Sequence, residues 1–190
     1  MKLNKLASYA AILGAMLFFI LSTIRLINFA IVRNAIRITD SKIIEFVMNN
    51  YRTLNLCITL VLALTALIIL FAYYEYTKNK KQKIAKYSII AVTLALIVNS
   101  LSELSNYTEM LNFLNVKAEI IKITLAILLI LFATALLFYK ENRKKAILII
   151  APLYILQNIF ILSTSLIPIQ LLDLTVAIKI AEAAWLHQEN

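Results

Sequence analysis

The chain has 190 residues, of which 62% are hydrophobic, with one glycine, two prolines and a formal charge of +9; its mean hydropathy is +0.86. Soluble domains hold roughly 45–50% apolar residues, so the composition excludes a soluble globular body. The basic residues sit in short segments beside apolar runs, which excludes a nucleic-acid-binding face and points to anionic lipid headgroups as the counter-charge.

A span needs about 20 residues, so this length predicts an all-α fold: a polytopic transmembrane helical bundle of about six spans arranged as hairpins, forming a single integral membrane domain over 1–190. The first span is predicted over 6–32, with Arg25 its only interior charge. Its apolar run exceeds the roughly 7–15 residues of a signal-peptide core, so it is expected to stay in place. A polar, partly amphipathic stretch follows over 33–53. Further spans are predicted over 54–76, 87–104, 120–139 and 146–162. The segment 168–186 carries Asp173, Lys179 and Glu182, so it either spans or lies along the interface. Cys57, the single cysteine, excludes an intrachain disulfide and is expected to be a buried, inert thiol.

Orientation follows from the basic residues, because cationic segments resist translocation. With the N-terminus cytoplasmic, the inner side holds eleven: Lys2, Lys5, Lys78, Lys80, Lys81, Lys83, Lys86, Lys140, Arg143, Lys144 and Lys145. The outer side holds six, Arg33, Arg37, Lys42, Arg52, Lys117 and Lys122, nearly balanced by Asp40, Glu45, Glu103, Glu109 and Glu119. Both termini are therefore expected in the cytoplasm of a multi-pass cell-membrane protein. Tyr9, Tyr73, Tyr74, Tyr76, Tyr87, Tyr139 and Trp185 fall at the inner boundary and predict an aromatic belt. The sequon at Asn106 lies on the proposed outer side.

Internal similarity suggests a parallel hairpin repeat. The stretch KLASYAAI from Lys5 is echoed by KIAKYSII from Lys83, and Ile58-Thr59-Leu60 by Ile123-Thr124-Leu125, each of the latter two leading to a tyrosine and a basic tail. Low-complexity apolar sequence also aligns with itself by chance. Small residues Ala7, Ala11 and Ala15 recur every four positions, with Ala10 and Gly14 on the neighbouring stripe, a pattern that favours close helix packing within this chain or with another.

Chemistry is expected where polar groups interrupt apolar runs, since each is costly there unless paired or hydrated. The repeat makes Arg25 and Glu103 equivalent, so they either pair near the outer rim or snorkel separately to the headgroups. Asn99 and Ser102, with Gln157 and Asn158, are candidates for interhelical hydrogen bonds or a small polar cavity. Lys179 falls near mid-bilayer if its helix spans, so it must find a carboxylate, Glu182 or Glu103, or else the helix does not span. Asp173 is the remaining ionisable group of that segment.

Missing residue types narrow the function further. The only histidine is His187, which excludes a bis-histidine haem and leaves no protein-only His/Cys metal cluster to expect. Gly-rich phosphate loops, Ser-His-Asp sets, H-E-x-x-H and Cys-x-x-Cys motifs are absent from the sequence, so neither a catalytic residue nor a cofactor is expected. The near absence of glycine argues against carbonyl-lined filters and unwound half-helices. A non-catalytic membrane subunit or scaffold packing against larger membrane protein subunits fits these features. In size, N-inside six-span layout and the first-helix alanine stripe, the chain resembles the vitamin-binding components of energy-coupling-factor transporters. That resemblance implies a substrate-capturing subunit of a small-molecule importer holding its ligand near the outer face, within reach of Arg25, Asn99 or Glu103. Those proteins carry more glycine than this chain. A membrane sensor is a third reading.

Overall fold

The computed structural model describes residues 2–32, 42–105, 118–139, 145–162 and 168–188. Among them the chain is helical: α1 (Lys2–Val32), α2 (Lys42–Asn49), α3 (Tyr51–Asn79), α4 (Lys83–Ser105), α5 (Ala118–Phe138), α6 (Lys145–Leu162) and α7 (Pro168–Gln188). Apolar runs that meet no water close their backbone hydrogen bonds within the segment, which only a helix does. With glycine nearly absent and Pro168 at a first helical position, little interrupts that solution; Pro152 is the proline inside a helix. α1, α3, α4 and α5 each contain a stretch long and apolar enough to cross a membrane, and α6 holds a shorter apolar stretch over 147–159. α7, broken by Lys179 and Glu182, is not among those four. The expected sequon at Asn106 lies outside the described residues.

The long helices pack in a closed ring in which α1 touches α3 and α7, α4 bridges α3 and α5, and α6 bridges α5 and α7. Adjacent members run antiparallel. From Ser8 to Gly14 on α1, the partner on α7 falls back from Ala183 to Lys179. From Gly14 to Arg25, the partner on α3 retreats from Thr65 to Asn55. Small residues set the closest approach: Ala7, Ala11, Gly14 and Ala15 are all buried. A Cβ at Gly14 would stand 3.2 Å from the Thr65 hydroxyl and 3.7 Å from the Lys179 side chain. The stripe thus serves packing inside this chain.

Packing is uneven along the ring. Its main core joins Ala7 and Ala11 of α1, Ile69 and Tyr73 of α3, Ile89 of α4, Phe132 and Leu136 of α5, Ile147 and Ile150 of α6, and Trp185 and Leu186 of α7. All of these lie toward the end at which α1 begins and α3 gives way to α4. Toward the other end no residue of α3 from 51 to 64 is buried. Two expectations are corrected here. Cys57 is exposed on that sparsely covered half of α3, outside the protein interior. Tyr73 and Trp185, expected in the aromatic belt, are each only 1% exposed and fill the centre of the ring, whereas Tyr9 and Tyr87 do face outward. Packed with Ile69, Ile89, Leu136 and Ile150, the Tyr73 and Trp185 rings supply a large share of the apolar area buried at the centre.

The turn between α3 and α4 is closed without glycine. The amide of Gln82 donates to the Thr77 carbonyl at 2.9 Å and that of Lys81 to the Lys78 carbonyl at 3.1 Å. Those two bonds define a Schellman cap, whose penultimate residue must adopt the left-handed region. Lys81 does so at φ 54°, a conformation that costs a side-chain-bearing residue roughly 1–2 kcal/mol.

Candidate functional site

The most unusual group in the interior is a carboxylate. Glu182 is fully buried on α7, and its Oε2 lies 2.9 Å from Nζ of Lys179, one turn earlier on the same helix. The Tyr154 hydroxyl of α6 donates to Oε1 at 2.5 Å. Positions 175, 178, 179, 182, 185 and 186 share the inward stripe of α7 because three- and four-residue steps return to one face. This face carries Thr175, Lys179 and Glu182 among its apolar members, so these three polar residues are directed into the bundle, whereas His187 and Gln188 at the end of the helix are exposed. Thr175 accepts a hydrogen bond from the Gln157 amide of α6.

Around this pair the centre of the ring is aromatic. Tyr73 stacks on Trp185 with centroids 4.7 Å apart and meets Phe132 edge-on at 5.3 Å, and Tyr76 meets Trp185 edge-on at 5.2 Å. Neither the buried Tyr73 hydroxyl nor Nε1 of Trp185 closes a hydrogen bond. An internal ion pair in such surroundings needs both good geometry and extra hydrogen bonds to offset desolvation. Glu182 has one of each.

The remaining sequence candidates are dispersed. Arg25 directs its guanidinium at Oδ1 of Asn55 on α3, at 3.2 and 3.3 Å, and Glu103's side chain lies outside the described residues, as does that of Asp173. Asn99 is half-buried and Ser102 buried on α4. Asn158 is buried; its amide donates to the Tyr154 carbonyl at 2.7 Å, and its Oδ1 has no partner. Among the described residues no group of His, Cys, Asp and Glu gathers to hold a metal ion.

Sequence reasoning singled out Lys179 and Glu182 but missed Tyr154 and assigned Tyr73 to the membrane boundary. A usable signal existed. Tyr154 is nine residues into α6 and Glu182 six residues from the end of α7, which at 1.5 Å per residue puts their backbones within about 5 Å in depth.

Fold and site together define an all-helical bundle of membrane-crossing dimensions with an internally paired charge. Beyond that class, no protein-family model, no curated protein and no solved structure matches the chain.

Proposed function

We propose that this protein is a non-catalytic membrane subunit: a ring of six spans in three hairpins, N-terminus inside, that holds a fixed shape in the cell membrane against larger membrane partners. The observation that carries this reading is the use made of Glu182. Catalytic and transport carboxylates face a cavity or a substrate path, whereas both oxygens of Glu182 are engaged by side chains of this chain, and the neighbouring volume is filled by Tyr73, Phe132 and Trp185. Such an arrangement ties α7 to α6 and plugs the ring. Purification of the full chain from its native membrane in mild detergent tests the reading. A stoichiometric membrane partner is expected; a lone chain retaining a small molecule would overturn it.

One observation favours a second reading, the importer capture subunit. Packing thins toward the end that carries Arg25, Asn55 and Asn99, where a ligand arriving from outside would enter. Ligand recovered from the purified chain and released by Arg25→Ala would select this reading over the first.

A further inference from the structure

On the outside of the ring, α3 and α4 enclose an apolar groove of about 370 Å³, lined by Leu67, Leu70, Phe71, Tyr74, Ile89, Ile90, Thr93 and Leu94. Leu70 and Ile89 form a buried floor, while the walls, Phe71, Ile90 and Leu94, are exposed, so the groove opens away from the bundle. It has two hydroxyls: that of Thr93 is occupied internally, donating to the Ile89 carbonyl at 2.8 Å, and that of Tyr74 belongs to the ring beside Lys86. Away from Tyr74 the lining is apolar. One end differs. The Leu67, Phe71, Tyr74 stripe of α3 continues by helical spacing to Lys78, and the Leu94, Ile90 stripe of α4 runs back to Lys86 and Lys83. Nζ of Lys86 stands 5.4 Å from the Tyr74 ring centroid, over the groove's mouth. Lys80 and Lys81 of the connecting turn lie just beyond, and Glu75, 3.7 Å from Lys78, is the acidic side chain among them.

We propose that this groove is a binding site for an anionic phospholipid, with an acyl chain along the α3–α4 groove and the headgroup phosphate held by Lys86 and its neighbour Lys83. Charge complementarity selects this occupant. A helix from another protein would match the apolar groove but not the cluster of lysines at its end, and a zwitterionic lipid would leave those ammonium groups uncompensated. Basic clusters between helices at headgroup depth are sites of this kind. Tyr74 supports the role by holding Lys86 against its ring, at the level where the phosphate of a lipid seated in the groove would lie.

Native mass spectrometry of the full chain, titrated with phosphatidylglycerol and with phosphatidylcholine of the same acyl chains, provides the test. Phosphatidylglycerol is expected to bind in preference to phosphatidylcholine. Lys86→Gln should reduce that preference about fivefold, Lys83→Gln should act in the same direction, and Lys86→Arg should keep it. Leu94→Trp, which fills the groove, should weaken both lipids alike. Lys42→Gln, on α2 at the opposite end, should change neither, and circular dichroism identifies any variant that has lost its helices. Equal binding of the two lipids, a preference that survives loss of both lysines, an effect of Lys42→Gln as large as that of Lys86→Gln, or full binding by Leu94→Trp would each overturn the proposal.

Discussion

A carboxylate with no exposed surface is tolerated only in company. Removing one partner of a buried ion pair costs about 3–5 kcal/mol, whereas replacing both with apolar groups of similar volume is often neutral. Glu182→Leu and Lys179→Met should therefore each lower stability by that order, while the double variant recovers most of the loss. Chemical unfolding in detergent, followed by circular dichroism, measures all three; additive losses would mean that the two side chains do not act as a pair. The two tyrosines near Glu182 give a sharper contrast. Tyr154 donates a charge-assisted hydrogen bond, so Tyr154→Phe should cost about 1.5–3 kcal/mol. Tyr73 makes none, and Tyr73→Phe keeps its stacking on Trp185, so its unfolding midpoint should stay within error of the parent. Equal losses in the two variants would show that Tyr73 too is hydrogen-bonded in the bilayer.

Helix entry and exit expose a different balance. Lys81 occupies the left-handed position that glycine normally fills at a helix C-terminus. Lys81→Gly should stabilise the chain by about 0.5–1 kcal/mol, the relief of side-chain crowding less the freedom glycine gains in the unfolded chain; a fall in the thermal midpoint would contradict the cap. Between elements, Gly14 sets how closely α1 approaches α3 and α7. Gly14→Leu would drive a branched side chain into the Thr65 hydroxyl and the Lys179 stem, with a cost of about 1–3 kcal/mol from overpacking. The same variant should loosen the first helix selectively, read as faster amide exchange in α1 than in α4, which does not touch that surface. Uniform loosening would place the constraint elsewhere.

Taken whole, the described helices form a ring more densely packed at one end than at the other, and its orientation is open to direct measurement. In a Cys57→Ser background, Lys81→Cys should react with an impermeant maleimide only after cells are opened; labelling of intact cells would invert the proposed topology. Composition and run length made the all-helical character legible, and with it four helices long and apolar enough to cross a membrane, because lipid dictates helices wherever twenty apolar residues follow one another. Polar interruptions such as Lys179 and Glu182 were legible as anomalies. What they meet was not, since helical periodicity locates a residue on its own helix and says nothing about which neighbour faces it. Hydropathy likewise gave Tyr73 and Trp185 to the membrane boundary, since a tyrosine at a span's end looks the same whether it faces lipid or the interior. The join between α1 and α7 has a consequence for biogenesis. Ser8 reaches a carbonyl 175 positions away, so α1 keeps a bare alanine flank until α7 has been synthesised, and everything between must be made first. Contacts of such sequence separation form slowly. During that interval the nascent protein presents an unclaimed helix face, the sort of surface that insertion chaperones shelter and membrane proteases recognise, and chains stalled before Pro168 should be cleared instead of accumulating.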